Sequence, residues 1–451
     1  MEKQGVLPSN DFETYEIGDK RLDKRLKKAV DKLTKNAQES ILGAEGDRSG
    51  AKAFYRLLSN EKFDLKQLSE AASKATIGRM EGTVLLIEDT TDINLKGHKK
   101  TEGLGYSSEH VRGVKLHNCI AVNTEGLPLG LVAQYCETRP TAKSQLTKQE
   151  RASRKVEEKE SYRWLRMLEE STINIPREVH VITICDREGD FYELYAQAHE
   201  LGEDFVIRVT HDRETESDEK VLCQIRRTKA AGEVTITIPR NSRAAIPARK
   251  ADMEVAYCAV RIKKPQYLTD KTLPDALNMT IVRITELCPD SHEPIEWILA
   301  TSLPVSNAED ALKIVEYYVQ RWKIERFHFV LKSGCNAEKI QQRSYDKIKA
   351  MLFIYSVIAM FIMTITYIGR VLPDTSCDLF LDTDEWQILY RIIHKTKIAP
   401  LEPYSMADAV SYLGQLGSYK RSPSDGPPGL KAVWKGLFKL FEYIDLFKGQ
   451  V

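Results

Sequence analysis

The chain has 451 residues, of which 42% are hydrophobic and 29% are charged, a composition that excludes wholesale disorder, collagen and low-complexity sequence. Its 66 Lys and Arg residues nearly balance 65 Asp and Glu residues, so the net charge of +1 lacks the overall basicity that is typical of nucleic-acid-binding proteins. This length predicts a soluble protein of about two to four domains, in which any basic surface must be local.

Two further observations concern the cell compartment. The eight cysteines form no CxxC pair and no Cys/His spacing that suits structural zinc. The N-terminus, MEKQGVLPSNDFETYEIG, is polar and lacks the apolar segment of a secretory signal. We therefore expect a cytoplasmic protein.

The first predicted helix is strongly basic. Residues 20–36 have apolar side chains at helical spacing, together with eight basic and two acidic side chains, a local charge of +6. Such a charge is typical of a helix that contacts phosphates, and we predict that Arg21, Arg25 and Lys28 contact DNA; a solvated surface helix is the alternative. Two more predicted helices complete a helical N-terminal domain of residues 1–75.

From Thr83 onward the pattern changes to strands. Three apolar segments joined by short links, TVLLIEDTT, VKLHNCIAVN and LPLGLVAQYCE, predict antiparallel pairing. A helix, the strand HVITICD, a second helix and the strand DFVIRVT follow, and this strand–helix–strand order implies a parallel crossover. The order βββαβαβ predicts an α/β fold with a ribonuclease H-like mixed sheet flanked by helices.

The second half of this domain contains an insertion. Four segments between about residues 211 and 302 again have strand character, and we interpret them as an inserted β subdomain. The helical pattern resumes in SNAEDALKIVEYYVQRWKIERFHFVLK, where Ser306 and Glu309 have the spacing of a capping box. The ribonuclease H-like domain is predicted to cover residues 76–370.

Two apolar helices are predicted toward the C-terminus. Residues 350–368 are uncharged and long enough to span a bilayer, but we favour a buried core helix, because the centre of a large domain requires a helix that is apolar on all sides. Residues 371–451 are predicted to form a helical C-terminal domain that contacts DNA. It ends in an apolar stripe at Leu430, Trp434, Leu437, Phe438 and Phe441, which is too large to remain exposed and which we predict to pair two protomers; packing within one chain is the alternative.

Two aspartates close apolar strands. Asp89 follows VLLIE and Asp186 follows VITIC, so both carboxylates leave the same edge of the sheet if the two strands are neighbours. Each aspartate alone is compatible with a turn or cap. Together with an acid from a helix they predict a metal site, because Mg²⁺ prefers carboxylate oxygens.

A helix supplies that acid. Tyr318, Arg321, Glu325 and Lys332 lie within a sector of about 60° if the helix is continuous, at about 100° per residue. The face combines a phenol, a guanidinium, a carboxylate and an ammonium. An ordinary solvated face, in which Glu325 pairs with a neighbouring base, is the alternative.

These segments resemble the IS4-family DDE transposases. YVQRWKIERFHFVLK matches the family's Y-x2-R-x3-E-x6-K signature through the four residues of that helix face, while IEDTT and CDREGD match its two aspartate motifs. EEKESYRWL, IPARKA and EWILATSLPV are also similar, and the resemblance extends from about Ile17 to GLKAVWKGLFKL near the C-terminus. The chain departs from the family pattern at Asp92 and in a less basic C-terminal stretch, which affects only the expected recognition of transposon ends.

The resemblance implies roles for individual residues. Asp89, Asp186 and Glu325 are expected to be catalytic and to hold two Mg²⁺ ions, with Mn²⁺ as a substitute, which can activate the attacking oxygen and stabilise the leaving one. Tyr318, Arg321 and Lys332 are expected to bind phosphates, and Trp297 to stack on a flipped base or, alternatively, to lie in the core. Further contacts to the DNA backbone are expected from Arg208, Arg249 and Lys250; a solvated surface position is the alternative for each.

The resemblance also implies a reaction. A cut-and-paste transposase nicks double-stranded DNA at the terminal inverted repeats, releases the ends through a hairpin intermediate and joins them to target DNA as a homodimer. No membrane is expected as a partner. No nucleotide cofactor is expected either, since the sequence has no GxxxxGK[ST] motif. The alternatives are a ribonuclease H-like nuclease without strand transfer and a DNA-binding protein that has lost catalysis.

Overall fold

The computed structural model describes residues 7–140, 156–238, 249–287, 294–420 and 426–448. Its chain divides into two compact units. The first, here called the helical unit, consists of Met1–Glu81, Thr90–Leu146 and Lys323–Val451. The second, here called the sheet unit, consists of Gly82–Asp89 and Thr147–Trp322.

The regular elements are numbered in chain order. The α-helices of the described residues are α1 (Lys20–Lys35), α2 (Ile41–Glu45), α3 (Arg48–Leu57), α4 (Leu65–Ile77), α5 (Tyr162–Thr172), α6 (Tyr192–Leu201), α7 (Val221–Arg227), α8 (Ala308–Val319), α9 (Trp322–Phe329), α10 (Tyr345–Val371), α11 (Thr383–His394), α12 (Met406–Leu416) and α13 (Leu430–Lys448). The strands are β1 (Thr83–Asn94), β2 (Tyr106–Ser108), β3 (Val111–Asn123), β4 (Pro128–Glu137), β5 (His180–Cys185), β6 (Asp204–Arg208), β7 (Gly232–Ile238), β8 (Arg249–Lys263), β9 (Ala276–Glu286) and β10 (Glu296–Thr301).

The sheet unit is built on a mixed sheet. Its strands lie in the order β1-β5-β6-β10-β9-β8-β7. β5 pairs in parallel with β1 and β6, whereas β10, β9, β8 and β7 pair antiparallel with their neighbours. The parallel strands are connected through α5 and α6, whose Trp164 and Tyr195 are fully buried in the core of this unit. The strands of the predicted β subdomain thus continue this sheet beyond β6.

The element order agrees with the predicted fold class. β1, β3 and β4 come first, β3 and β4 pair antiparallel, and α5, β5, α6 and β6 follow in the predicted order. The short strand β2, which pairs with β3, is the one addition among the described residues of this segment. The α/β, ribonuclease H-like class with a mixed sheet and helices is therefore confirmed.

Helix α1 shows why the basic residues of the helical unit face outward. It begins at the N-cap Asp19, whose carboxylate accepts a hydrogen bond from the backbone N–H of Arg21 (2.9 Å). The apolar side chains of the helix, among them Leu26, Val30 and Leu33, are buried. The basic side chains therefore occupy the remaining surface, as the 3.6-residue period requires.

Helix α10 is the long apolar helix of the helical unit. By length and composition alone it could cross a membrane, with a mean hydropathy of 2.2, but 89% of that apolar window is buried inside the protein. Tyr345 donates a hydrogen bond to the carbonyl of Cys136 (2.6 Å), and Thr364 donates one to the carbonyl of Pro128 (3.2 Å). Both carbonyls belong to β4, so α10 packs on this strand, and the prediction of a buried core helix is confirmed.

The predicted continuous helix of residues 306–332 is interrupted. Its N-cap is Asn307 rather than Ser306, since the Asn307 side chain accepts a hydrogen bond from the backbone N–H of Asp310 (2.9 Å). Helix α8 ends at Val319, and the N–H groups of Gln320 and Arg321 bond to carbonyls three residues earlier, as in a tight 3₁₀ turn.

A second irregularity follows helix α9. Residues Val330–Gly334, which include Lys332, form a single π-helical turn. A 3₁₀ turn rotates more per residue than an α-helix and a π turn rotates less. The predicted shared face of Tyr318, Arg321, Glu325 and Lys332 assumed one regular helix with a constant 100° per residue. That assumption is wrong, because the helix is interrupted twice.

The apolar stripe of α13 is buried within the helical unit. Trp434 and Leu437 are at most 1% exposed, and Leu430, Phe438 and Phe441 are also buried. Helix α13 packs on α12 and also contacts α10 and α11. The stripe therefore packs within one chain, which was the alternative to the predicted pairing of two protomers through these residues.

The contact between α12 and α13 depends on glycines. A Cβ atom at Gly436 would overlap with the carbonyl oxygen of Leu413, and one at Gly417 would overlap with the carbonyl oxygen of Ala432. Backbone atoms at both positions cannot move aside as flexible side chains can. The close approach of the two helices thus requires the absence of a side chain at both positions.

We expect Gly436→Ala to lower the free energy of unfolding by about 1–3 kcal/mol, the usual cost of forcing an extra carbon into a packed site. Thermal or urea unfolding of the purified variant measures the change. Gly426→Ala is the control, because nothing lies within 4 Å of the added carbon at that position. Equal stability of the two variants would contradict the close helix contact.

Candidate active site

The two predicted aspartates lie side by side at one edge of the sheet unit. Strands β1 and β5 are paired in parallel from Thr83 opposite His180 to Ile87 opposite Ile184. Each aspartate stands two residues beyond the last of these pairs, so the two lie at the same level. Asp186 directly follows β5 as predicted, whereas β1 continues to Asn94, so the prediction that Asp89 closes its strand is wrong. Neighbouring strands are about 4.8 Å apart, so the backbones of the two aspartates lie close together where β5 ends.

Arg321 lies beside Asp89. Its guanidinium is 3.8 Å from the Asp89 carboxylate, and both side chains are largely buried, at 10% and 17% exposure. The guanidinium carbon also lies 5.9 Å from the ring centroid of Tyr318 and 5.2 Å from that of Trp322. Aromatic faces on two sides leave the cation few alternative positions, so it is held next to the carboxylate.

Asp186 has a second, structural contact. One of its carboxylate oxygens accepts a hydrogen bond from the backbone N–H of Glu188 (2.7 Å), which caps the short 3₁₀ helix Arg187–Gly189. The cap fixes the orientation of the side chain at the end of β5. Asp186 therefore caps this short helix and also belongs to the candidate site.

Tyr318 joins three other predicted site residues. Its ring meets the indole of Trp297 edge-on, with 5.5 Å between the ring centroids. Burial raises the pKa of Tyr318, while the nearby charges of Arg321 and Arg208 act in the opposite direction. The sheet unit therefore brings Asp89, Tyr318, Arg321, Arg208 and Trp297 into one connected cluster.

Trp297 and Arg208 are both constrained within this cluster. Trp297 is 8% exposed and lies in β10 opposite Ile284 of β9. Arg208 donates a hydrogen bond to the carbonyl of Glu296 (3.3 Å), and burial lowers the pKa of its guanidinium. The indole occupies a core-like position in this structure, and stacking on a base stays a prediction.

Glu325 and Lys332 belong to the helical unit. Glu325 lies in α9 and Lys332 in the π turn that follows it, and both side chains are partly exposed. Among the residues that the structure describes, no three His, Cys, Asp or Glu side chains are grouped closely enough to hold a metal ion. The adjacent pair Asp89 and Asp186 nevertheless fits a divalent ion, because Mg²⁺ is usually bound by one or two carboxylates together with water and substrate phosphates.

The remaining predicted DNA contacts lie apart from this cluster. Arg249 forms a two-pronged ion pair with Glu286, which is 5% exposed, and this pair links β8 to the end of β9. Lys250 is exposed on β8 opposite Thr237. Arg21 is 92% exposed and pairs with Asp19. Their roles in DNA binding stay predictions.

Sequence reasoning missed a basic cleft in the helical unit. A cleft of about 780 Å³ is lined by Tyr55, His98, Lys339, Arg343 and Lys347, among other residues, and Lys99 and Lys100 line the adjoining space. Among the described residues, neither the three Lys and Arg side chains of the cleft nor the two lysines of the adjoining space form an ion pair. Glu338 also lines the cleft, but one of its carboxylate oxygens accepts a hydrogen bond from the backbone N–H of Asn94 (2.9 Å). The adjacent Lys99 and Lys100 were the only local signal of this cleft.

Comparison with known proteins identifies the class of enzyme. Residues 81–362, well over half of the chain, match the family "Transposase DDE domain", and residues 8–63 match the family "Transposase DNA-binding". The chain belongs to the DDE transposases. It is a DNA-cleaving and strand-transfer enzyme with a DNA-binding domain near its N-terminus, and enzymes of this family use divalent metal ions.

Among solved structures, one match is the piggyBac transposase in a synaptic complex with hairpin DNA. The two proteins are 11% identical, with a TM-score of 0.39. The match covers 96% of this chain and 72% of the other.

The DNA-binding match includes helix α1 and leads to a test of its basic surface. We expect simultaneous replacement of Arg21, Arg25 and Lys28 by Ala to weaken DNA binding and to lower the salt dependence by about 0.9 per lost phosphate contact. The measurement is the slope of log K against log salt concentration. The control replaces three exposed lysines elsewhere in the N-terminal segment, Lys62, Lys66 and Lys74. A slope equal to that of the unmodified protein would show that α1 faces solvent.

Proposed function

We propose that this DDE transposase is a cut-and-paste enzyme of the IS4 type, most similar to the Tn5 transposase. It nicks the terminal inverted repeats of its element, releases the ends through a hairpin and joins them to target DNA. The Y-x2-R-x3-E-x6-K signature from Tyr318 to Lys332 supports this assignment. The observation that carries it is the placement of Asp89 and Asp186, each two residues beyond the last pair of the parallel strands β1 and β5, within the matched DDE domain.

We assign the catalytic and metal-binding roles to Asp89, Asp186 and Glu325. Two Mg²⁺ ions, or Mn²⁺ in their place, would supply activation of the attacking oxygen and stabilisation of the leaving oxygen at phosphorus. Arg321 holds the Asp89 carboxylate in place through their 3.8 Å contact. A buried cation at this position also limits repulsion between the two neighbouring carboxylates.

The phosphate-binding roles are assigned to Tyr318, Arg321 and Lys332, with Arg208, Arg249 and Lys250 as further contacts. A guanidinium matches the geometry of phosphate oxygens, and the Arg321 side chain is already ordered by Tyr318 and Trp322. Helix α1 and the basic cleft of the helical unit would extend the electrostatic contact along the DNA. A binding surface of this kind supplies affinity without sequence specificity.

The working form is proposed to be a homodimer on two transposon ends, active in the cytoplasm where the DNA lies. Because the apolar stripe of α13 is buried within its own unit, the contact between protomers must use other surfaces. Dimerisation that depends on bound DNA is consistent with this arrangement, since phosphate contacts can contribute much of the assembly energy.

A reconstituted reaction tests the proposed function. The full chain is incubated with Mg²⁺ and a plasmid that carries the DNA flanking its reading frame, and denaturing gels detect nicks and hairpins. Pre-cut ends with a 3′-hydroxyl, mixed with a target plasmid, test joining. Nicking, hairpins and joined products support the proposal. Cleavage without joining would favour a nuclease, and metal-independent DNA binding without any cleavage would favour a protein that has lost catalysis.

A further inference from the structure

A chain of buried polar side chains anchors helix α9 within the helical unit. Asn118 of β3 donates a hydrogen bond from its amide to Nε2 of His328 (3.0 Å). Gln134 of β4 donates to the amide oxygen of Asn118 (2.7 Å) and to the hydroxyl of Ser356 on α10 (2.5 Å). This network of hydrogen bonds therefore connects α9 with the strands β3 and β4 and with the core helix α10.

Three of these four side chains are deeply buried, and Gln134 is half-buried. Asn118 and Ser356 have no exposed surface and His328 is 7% exposed. Burial lowers the pKa of His328 to about 3, so its ring is neutral and Nε2 is available as an acceptor. Leaving a buried amide without its acceptor costs more free energy than an average hydrogen bond contributes. The network therefore opposes displacement of α9.

Two aromatic contacts hold the same helix at its ends. The Lys323 ammonium lies 4.9 Å from the ring centroid of Tyr367 on α10. The ring of Phe329 lies 5.2 Å from that of Trp434 on α13. Glu325 lies between these anchors and one turn before His328, so its backbone position is set by elements that surround α9.

We propose that His328 is a positioning residue for Glu325. Through Asn118 and Gln134 it fixes the rotation and axial position of α9, and with them the position at which the Glu325 carboxylate meets a metal ion. The proposal rests on the role of Glu325 as a metal ligand given above. Ligand groups must be held within about 0.5 Å of their working positions, and partners behind the ligands change metal affinity about 10- to 100-fold.

The test compares two substitutions with opposite expectations. His328→Leu removes the acceptor, whereas His328→Gln keeps an amide oxygen that can accept from Asn118. Binding of Mn²⁺ to the full chain is measured without catalysis, from the electron paramagnetic resonance signal of free Mn²⁺. We expect about tenfold weaker Mn²⁺ binding for His328→Leu and recovery to within about threefold for His328→Gln.

Cleavage kinetics provide the second measurement. With His328→Leu, the Mg²⁺ concentration for half-maximal nicking should rise about tenfold, whereas the rate at saturating Mg²⁺ should approach that of the unmodified protein. Gln134→Leu, which removes an outer member of the network, should give a smaller change in the same direction and serves if His328→Leu does not fold.

Leu68→Ala is the matched control for stability. Leu68 is a fully buried residue of α4 in the same unit, outside the polar network, and its truncation should lower the unfolding midpoint without changing Mn²⁺ affinity. The proposal is overturned if His328→Leu binds Mn²⁺ normally, if Gln and Leu behave alike, or if Leu68→Ala weakens Mn²⁺ binding equally. Mn²⁺ binding that does not change in Glu325→Gln would instead refute the assignment of Glu325.

Discussion

Asp89→Asn, Asp186→Asn and Glu325→Gln are each expected to abolish DNA nicking, with a rate loss of about 10³-fold or more. Each substitution removes a negative charge from a proposed metal ligand and keeps the size of the side chain. Loss of several kcal/mol of transition-state stabilisation corresponds to this factor, since each 1.4 kcal/mol is tenfold. End binding should remain within about twofold, because the phosphate contacts do not involve these carboxylates. Gel-shift and cleavage assays on the same labelled DNA measure both quantities.

Asp92→Asn is the control for these variants. Asp92 lies on the same strand, β1, and its carboxylate pairs with Lys115 at 3.4 Å. Nicking by this variant should be close to that of the unmodified protein. If any variant of the three proposed ligands cuts at a near-normal rate, that carboxylate is misassigned and a neighbour such as Glu188 becomes the candidate.

The second large effect is expected at Asp190, the last residue of the CDREGD motif. Its carboxylate is 1% exposed and pairs with Arg213, and it also accepts hydrogen bonds from the Tyr195 hydroxyl (2.7 Å) and from the backbone N–H groups of Thr210 (2.5 Å) and His211 (2.7 Å). Asp190→Leu would leave a buried guanidinium and two N–H groups without this acceptor. We expect a loss of about 3–5 kcal/mol in the free energy of unfolding.

Urea unfolding measures this loss against an exposed ion pair of the same unit. Arg226 and Glu296 lie 2.8 Å apart with side-chain exposures of 54% and 32%. Glu296→Gln should change stability by no more than about 1 kcal/mol, because solvent screens such a pair. Similar losses for the two variants would mean that the buried pair does not stabilise the chain segment after β6.

The placement of the two aspartates at the same level of neighbouring strands could be predicted from the sequence. Asp89 and Asp186 each end an apolar run of strand length, and only a parallel pairing of those runs was needed to place them together. The observed register provides it. The pattern was sufficient because short continuous apolar runs are typical of strands buried on both faces, as β1 is from Val84 to Glu88 and β5 from Val181 to Cys185, and because a strand–helix–strand order implies parallel pairing.

The interruption around Gln320 and Arg321 could not be predicted in this way. Neither residue breaks a helix by its own chemistry, and the apolar spacing continues on both sides of the turn. The N-cap was displaced by one position for a similar reason, since Ser306 and Asn307 are both good caps and only the backbone path decides between them. Periodicity likewise identified the apolar face of α13 but not the elements that cover it.

The basic cleft required the folded structure for another reason. Its residues come from segments near positions 98–100 and 339–347, more than 200 residues apart in the chain. Neither segment has the concentration of charge found in α1. A binding surface that is divided between distant segments leaves no contiguous pattern, so composition and spacing cannot reveal it.

The burial of α10 has a consequence for the order of protein synthesis. Its packing partner β4 is translated first, but α12 and α13, which cover other sides of the helix, are translated later. Arg370 at its end donates a hydrogen bond to the carbonyl of Pro428, nearly sixty residues farther along the chain (2.8 Å). At about 5–20 residues per second, several seconds pass between the synthesis of this apolar helix and the synthesis of α12 and α13, which cover it. The growing chain in that interval presents a segment of membrane-spanning length, and chaperones that bind apolar sequences are therefore expected to raise the yield of folded transposase.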